Sequence, residues 1–344
     1  MKVSVVGAGA IGSLFGGLIK HHVPDIDMLL IVRGDHGQVV SERSSIRLDG
    51  PWGSRDVPVS ASLNIQDIAD SDYVLFTVKS QATQEAISAA APHLGNATVI
   101  SIQNGLNDQT LLAHVDPARL VMAMTATNMA VLEPGSVSLQ LDGPSVVGPF
   151  PDGSNREAAQ NAAELLNKSG MQFIHHENID GIRYNKLAQN AIGYASCLSA
   201  SNFITECVCH RGWRTHVGRP IIDECTRAFE LAGIELAKIQ GRPDVSTIAK
   251  LLIMLNVPVL GSIIAFGAKL QYNKKPIIYS LQQDIRRGKK TEVEHINQEV
   301  VRVAESHGET APYNAKVVEL VHELEARGDG SFFTREEVIE RFES

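Results

Sequence analysis

The sequence predicts an α/β fold, with a parallel sheet flanked by helices in the N-terminal part and a mainly α-helical C-terminal part. In the first half, short apolar runs typical of buried strands alternate with segments of helical periodicity, which is the pattern of a parallel sheet. Beyond Asp180 nearly every segment has helical periodicity. We therefore expect a boundary near residue 178, with domains of residues 1–178 and 179–344.

The composition limits the class of protein. A chain of 344 residues exceeds one comfortable hydrophobic core, so two domains are expected. A content of 44% hydrophobic residues excludes a disordered chain, and a net charge of -8 gives no reason to expect a nucleic-acid partner. The four cysteines lie between Cys197 and Cys225, and we expect no secretory signal. These features favour a reduced, cytoplasmic protein with buried thiols and no metal site.

The segment from Leu251 to Ala268 carries no charged residue. It lies at the short limit for crossing a bilayer and is interrupted by Asn256 and Pro258. We therefore expect no membrane association. The segment is interpreted as buried helices of a core or of a subunit interface, and in the second case the chain would form a homodimer through the helical domain.

A glycine-rich turn follows the first strand. The apolar strand at residues 2–6 leads directly into a Gly-x-Gly-x-x-Gly turn and an apolar helix. The first glycine permits the tight turn, the second lets a pyrophosphate approach the backbone, and the third lets the helix pack closely on the strand. The pattern predicts a Rossmann dinucleotide site, rather than a turn without function, at Gly7, Ala8, Gly9, Ala10, Ile11 and Gly12.

The residue after the second strand bears on the choice of dinucleotide. This strand covers residues 28–32 and is followed by Arg33, whose guanidinium suits the 2'-phosphate of NADP. Asp35 is the only nearby carboxylate that would favour NAD. A solvated charge at a strand end remains the alternative, and we expect NADP(H) as the cofactor.

Polar residues also follow the next two strands. Lys79 ends the strand that begins at residue 72, and Asn104 follows the strand at 97–102. The carboxyl ends of parallel strands form the usual ligand site of such a sheet. A solvated lysine and an Asn-Gly turn are equally ordinary readings, so neither residue alone indicates a site.

The second domain opens with Lys186 and Asn190, one helical turn apart. An ammonium can protonate a carbonyl oxygen during reduction, and an amide can hold a neighbouring group of the substrate. By spacing alone, a surface polar pair is the simpler explanation. Farther on, Gly288 can end one helix, and Thr291 with Glu294 forms a capping box that predicts the start of another, with Glu292 in its first turn.

Taken together, these segments resemble the ketopantoate reductase family, also called 2-dehydropantoate 2-reductases, over nearly the whole chain. The resemblance rests on the glycine turn, Arg33, Lys79, Asn104, the Lys186 and Asn190 pair, and the segment 280–292. It implies an NADP-dependent oxidoreductase that reduces a 2-keto acid to a 2-hydroxy acid. Ketopantoate, reduced to pantoate in pantothenate biosynthesis, is the first substrate it suggests.

The resemblance also implies roles for particular residues. Lys186 would be the general acid, and Glu292 would orient the substrate and the lysine. Binding roles follow for the remaining positions: a substrate hydroxyl on Asn190, the substrate carboxylate on Ser280, and the nicotinamide ribose beside Asn104 and Lys79.

Two positions depart from the family pattern. Tyr194 stands where the family usually has a second asparagine, and Gln298 where it often has glycine. A phenol lining the substrate pocket can alter which keto acid fits without changing hydride transfer. The alternatives are a β-hydroxyacid dehydrogenase, an imine-reducing dehydrogenase of the opine type, and an NADP-binding sensor without catalysis.

Overall fold

The computed structural model describes residues 1–239, 243–257, 259–272 and 279–343. The chain divides into two compact units, Met1–Asp180 and Gly181–Ser344.

The first unit contains strands and helices that alternate through most of its length. Its strands are β1 (Lys2–Val6), β2 (Asp27–Ile31), β3 (Ser45–Gly50), β4 (Gly53–Pro58), β5 (Ser60–Ser62), β6 (Tyr73–Phe76), β7 (Thr98–Ser101), β8 (Leu120–Thr125), β9 (Asn128–Glu133), β10 (Ser136–Leu141), β11 (Ser145–Gly148) and β12 (Phe173–His175). Its α-helices are α1 (Ala10–His22), α2 (Gly34–Arg43), α3 (Thr83–Ala90), α4 (Asp108–Leu112) and α5 (Arg156–Asn167).

The main sheet has the strand order β12-β11-β8-β7-β6-β1-β2-β5. From β5 to β8 all neighbours are parallel, which confirms the expected α/β fold with a Rossmann-like sheet. Only β11 runs antiparallel to β8, and β12 is again parallel to β11. The extended segments that begin at Leu120 and are broken by Pro and Gly predict an antiparallel addition to the edge of a sheet. The prediction is right for β11 and wrong for β9 and β10.

The strands β9 and β10 belong instead to a second sheet, with the order β4-β3-β10-β9. In it, β10 pairs in parallel with β3, across a sequence separation of nearly ninety residues. Sequence reasoning missed β3 and β4. Their alternating or polar side chains lack the continuous apolar run that marks the buried strands of the main sheet.

Helix α1 lies between the two sheets. Its residues 12–19 are all buried, because opposite faces of the helix pack on different sheets. A Cβ on Gly16 would come within 3.0 Å of Val5 in the main sheet, and one on Gly17 within 3.0 Å of Leu48 in the second sheet. The two glycines allow both sheets to approach one helix closely, which accounts for its nearly uniform apolar sequence.

The second unit is mainly helical, as expected. Its α-helices are α6 (Ile179–Cys197), α7 (Arg211–Trp213), α8 (Arg219–Leu231), α9 (Val245–Met254), α10 (Leu260–Tyr272), α11 (Ser280–Arg286), α12 (Asn297–Ser306), α13 (Pro312–Arg327) and α14 (Arg335–Glu343). Single π-helical turns occur at Ile204–Val208 and Arg214–Gly218.

Buried polar groups connect these helices. The Glu224 carboxylate on α8 accepts hydrogen bonds from the backbone N–H groups of Tyr313 and Asn314 at 2.8 and 2.9 Å, and so caps the start of α13. Arg335, the first residue of α14, pairs with the carboxylate of Glu206, which is 1% exposed. These contacts join α8 to α13, and the π-helical turn at Ile204–Val208 to α14.

The uncharged segment 251–268 is not buried as a whole. It forms the end of α9 and most of α10, while Pro258 lies outside the described residues. Leu252 and Leu255 are buried, whereas Ile263 and Phe266 are 65% and 67% exposed. A core role thus holds for the end of α9, whereas most of the described side chains of α10 are exposed or half-buried. Among the described residues, no helix is both long enough and apolar enough to traverse a bilayer.

The four cysteines are free thiols, of which Cys197, Cys207 and Cys225 are buried. Cys209 is exposed, so the expectation of burial is wrong for this residue.

We predict that Gly12→Ala lowers the free energy of unfolding by about 1–3 kcal/mol, because overpacking costs this much in a close-packed core. Its Cβ would meet the hydroxyl of Thr77 and would lie 2.6 Å from Val5 Cγ1. Gly9→Ala is the matched control, since the nearest atom to its Cβ is a carbonyl oxygen at 4.0 Å. Urea unfolding of both variants measures the difference, and equal stabilities would contradict the packing argument.

Candidate functional site

The glycine turn between β1 and α1 has three distinct environments. Gly7 adopts φ 89°, a left-handed conformation, and a Cβ there would lie 2.6 Å from the backbone nitrogen of Val78. Gly12 packs against the sheet, as described above. Gly9 faces open space. The turn therefore needs its first and third glycines for folding, whereas the second leaves the backbone accessible to a ligand.

The first turn of α1 is suited to an anion. The helix begins after Gly9, which supplies no side-chain cap, and its first turn contains no acidic residue. Lys20, His21 and His22 lie in the last turn, where cations complement the helix dipole. Backbone N–H groups at an uncapped N-terminus, beside an open glycine, are a suitable site for a pyrophosphate.

Arg33 immediately precedes α2 and is largely exposed. Its Nη1 atom lies 3.2 Å from Oε1 of Glu85, in the first turn of α3. Asp35 lies in the first turn of α2. The neighbouring His36 joins this region to the glycine turn, since its Nε2 lies 3.1 Å from the hydroxyl of Ser13.

Lys79 and Asn104 follow β6 and β7 in loops that are joined by buried hydrogen bonds. The Ser80 hydroxyl donates to the carbonyl oxygen of Asn104 at 2.7 Å. The Gln103 amide donates to the carbonyl oxygen of Val78 at 2.8 Å. Because Ser80 and Gln103 are buried, these bonds hold the two loops together at the carboxyl edge of the sheet, where Lys79 and Asn104 keep part of their surfaces accessible.

In the second unit, Lys186, Asn190 and Tyr194 lie at four-residue intervals along α6 and share one side of the helix. Lys186 and Asn190 are partly accessible, whereas Tyr194 is buried. The pair is therefore not the surface pair that spacing alone favours.

Lys186 is surrounded by protein to an extent that changes its acidity. Burial lowers the pKa of Lys186 from the ordinary 10.5 to about 8, while the Glu292 carboxylate acts in the opposite direction. Glu292 is itself 4% exposed. A desolvated ammonium beside a buried carboxylate is thus close to its titration point near neutral pH, as a proton donor should be.

Tyr194 on α6 contacts α11, since its hydroxyl forms a hydrogen bond with Ser280. Burial, followed by the charge of Glu292, raises the pKa of Tyr194 well above its ordinary value, and a hydrogen bond with Ser280 acts in the opposite direction. Asp284, one turn beyond Ser280 and 5% exposed, adds to the rise in this pKa. Asp284 is not among the site residues predicted from the sequence. Its four-residue spacing from Ser280 was the signal that it shares the same face of α11.

The segment that carries Glu292 differs from the sequence prediction. Gly288 adopts φ 60° after α11, as expected for a helix end. The capping box is wrong: residues Val293–His295 form a 3₁₀ turn, and the next α-helix begins at Asn297. The Glu294 carboxylate lies 3.0 Å from Nε2 of His322 instead of returning to the backbone. Glu292 therefore precedes a 3₁₀ turn rather than lying within an α-helix.

The structure groups the candidate residues in two sets. In the first unit, the glycine turn, Arg33, Lys79 and Asn104 all follow the carboxyl ends of adjacent strands. In the second unit, electrostatic or hydrogen-bonding interactions link Lys186, Glu292, Tyr194 and Ser280. Asn190 lies on the same helix side. Among the described residues, no group of three or more His, Cys, Asp or Glu side chains is arranged for a metal ion.

Comparison with known families decides the relationship. The family model described as Ketopantoate reductase PanE/ApbA matches residues 3–152, and the model of its C-terminal domain matches residues 178–325. The chain belongs to the ketopantoate reductase family.

Individual relatives of this ketopantoate reductase family member match over almost their full length. A 2-dehydropantoate 2-reductase of Pyrococcus horikoshii is 28% identical over 335 residues, covering 96% of this chain and 100% of the relative. A PanE/ApbA family ketopantoate reductase from Ralstonia eutropha, known from a crystal structure, is 26% identical in sequence. The two structures superpose with a TM-score of 0.76 over 95% of this chain and 99% of that chain. The ternary structure of D-mandelate dehydrogenase with NADH and anilino(oxo)acetate also has a TM-score of 0.76, over 96% of this chain and 100% of that chain. Its sequence identity is 20%, so this similarity concerns the fold alone.

Proposed function

We propose that this chain is an NADPH-dependent 2-keto acid reductase that converts 2-dehydropantoate to pantoate in pantothenate biosynthesis. The observation that carries the proposal is the Lys186 ammonium, whose pKa burial lowers to about 8 beside the buried carboxylate of Glu292, in a chain of this family. Relatives named 2-dehydropantoate 2-reductase support the substrate. Residues 1–178 would bind the cofactor, and residues 179–344 the substrate.

In this proposal Lys186 is the general acid. Reduction of the keto group adds a hydride to carbon and a proton to oxygen, and the ammonium of Lys186 supplies that proton. Glu292 keeps the lysine protonated near neutral pH, because its negative charge opposes the effect of burial on the lysine pKa. Glu292 also orients the ammonium toward the substrate oxygen.

The first unit fits a nicotinamide dinucleotide. When bound, the reduced nicotinamide supplies the hydride. The open backbone at Gly9 and the uncapped start of α1 would hold the pyrophosphate, within the turn Gly7, Ala8, Gly9, Ala10, Ile11 and Gly12. Arg33 would bind the 2'-phosphate of NADPH, while Lys79 and Asn104 would lie beside the nicotinamide ribose.

Three residues of the second unit would bind the substrate. Ser280 is proposed to contact the carboxylate, and Asn190 to hold a hydroxyl. Tyr194 would limit the space beside them, since its hydrogen bond with Ser280 keeps a phenol in that region. A family member with asparagine at this place leaves more room, so the preferred keto acid of this chain depends on Tyr194.

The proposal predicts oxidation of NADPH, followed at 340 nm, with ketopantoate in a panel of 2-keto acids of increasing size. Amino acids are added in a second series, because a requirement for an amine would indicate an imine-reducing dehydrogenase. Absence of turnover with every keto acid, alongside tight NADPH binding, would indicate a sensor and contradict the proposal.

The same assay tests Lys186. Lys186→Ala is expected to lower kcat by about 10² or more, the contribution of a positioned general acid, while the Kd for NADPH stays within about two-fold. Lys250→Ala is the control, since this lysine lies on the neighbouring helix α9 and has no proposed role. Unchanged kcat in Lys186→Ala would contradict the proposed mechanism.

We also propose that the chain is a cytoplasmic homodimer. The four free thiols suit a reducing compartment. Along α10, Ile263, Phe266 and Leu270 are each more than half exposed, and their spacing of three and four residues is that of a helix-pairing seam. Ile253 and Met254, at the end of α9, add exposed apolar surface within the uncharged segment 251–268. A second copy is the simplest partner for an uncharged stripe, because a two-fold interface buries the same patch on both copies.

Ile263→Glu is expected to convert the dimer to a monomer, since it introduces a carboxylate at the centre of the proposed seam. Size-exclusion chromatography with light scattering measures the mass. Leu63→Glu is the matched control, because Leu63 is 73% exposed and lies in the first unit. A wild-type protein that is monomeric at micromolar concentration would contradict the dimer and leave the catalytic proposal intact.

A further inference from the structure

Arg33 and Glu85 form an ion pair near the glycine turn. Arg33 follows β2, and Glu85 lies in α3, which follows β6. Strand β1 pairs with β2 on one side and with β6 on the other. The contact of 3.2 Å between Arg33 Nη1 and Glu85 Oε1 therefore joins elements from both sides of the strand that carries the glycine turn.

The pair is accessible to a ligand. The side chains of Arg33 and Glu85 are 69% and 75% exposed. An ion pair this exposed contributes little to the free energy of folding, because water and salt screen both charges. The same exposure means that a dianionic phosphate could reach the guanidinium, and that it would then lie close to the Glu85 carboxylate.

Glu85 is an acidic residue near the N-terminal end of α3, in contact with Arg33. It lies in the first turn of α3, where the helix dipole stabilises a carboxylate. A phosphate that approaches Arg33 must compete with this carboxylate and is repelled by it. A ribose that carries only hydroxyl groups has no such conflict.

We propose that Glu85 is a specificity-determining residue that weakens binding of the 2'-phosphate at Arg33 and so restrains the preference for NADPH over NADH. This inference rests on the proposed use of Arg33 as the 2'-phosphate ligand. Arg33 attracts the phosphate, Glu85 reduces that attraction, and the ratio of the two dissociation constants depends on both residues.

The test is equilibrium binding of NADPH and NADH to wild type and Glu85→Gln, measured by calorimetry at low ionic strength. Glu85→Gln is expected to lower the Kd for NADPH by roughly five-fold, the scale of one exposed charge interaction. The Kd for NADH is expected to stay within about two-fold, because no ligand charge meets residue 85. Glu157→Gln is the matched control, since Glu157 is an exposed carboxylate in the first turn of α5.

Two further arms identify the cause. The effect of Glu85→Gln on NADPH should shrink in 0.5 M salt, for which the screening length is only about 4 Å. The effect should also shrink in an Arg33→Ala background, because the guanidinium for which the phosphate and the Glu85 carboxylate compete is then absent.

An unchanged ratio of the two dissociation constants in Glu85→Gln would overturn the inference. If the ratio changes only because Glu85→Gln binds NADH more weakly, the inference is also overturned. That result would mean that the Glu85 carboxylate binds the ribose hydroxyls instead of opposing the 2'-phosphate. The proposed cofactor fails separately, if wild type binds NADH more tightly than NADPH and Arg33→Ala leaves both unchanged.

Discussion

The site in the second unit depends on one electrostatic arrangement, a lysine ammonium surrounded by protein beside a buried carboxylate. Removing water from Lys186 lowers its pKa by disfavouring the charged form, and the charge of Glu292 prevents the fall from going further. Either effect alone would give a poor proton donor. A solvated lysine holds its proton too tightly near neutral pH, and a buried lysine without a carboxylate loses it. The same carboxylate also raises the pKa of Tyr194, so this phenol remains neutral while the lysine titrates.

The site in the first unit depends on close packing rather than charge. Helix α1 lies between two sheets, and Gly12 allows its first turn to contact the main sheet directly. This contact fixes the start of the helix at the carboxyl end of β1, where its backbone N–H groups are accessible beside Gly9. In the proposed function, specificity for a particular dinucleotide would depend on exposed side chains around this turn, among them Arg33 and Glu85.

The parts of the fold that sequence analysis predicted are those with local signals. The buried strands around the glycine turn have continuous apolar runs, and the turn itself needs glycine for steric reasons at Gly7 and Gly12. The second sheet was missed because β3 and β10 pair across most of the unit, and no local pattern records such a partner. The extended character of segments 128–133 and 136–141 is visible in the sequence, but no local pattern shows that they join the second sheet.

In the second unit, predictions from short sequence patterns were wrong where contacts between distant segments determine the structure. Thr291 and Glu294 fit a capping box, yet residues Val293–His295 form a 3₁₀ turn and the Glu294 carboxylate lies 3.0 Å from Nε2 of His322 on α13. The spacing of Lys186 and Asn190 favoured a surface pair, because burial of a helix face by distant segments has no signature within the helix. Only the resemblance to a family identified these residues as a candidate site. Asp284 received no role by either route, although it lies on the same face of α11 as Ser280.

The acidity of Lys186 can be measured by titrating its side chain. Protein labelled with ¹³C at lysine Cε is titrated by NMR, and Lys186→Arg identifies the resonance. We expect a midpoint of about 8 for Lys186 in the wild type, and a lower midpoint in Glu292→Gln because the opposing carboxylate charge is removed. A midpoint near the ordinary 10.5 in both proteins would contradict it.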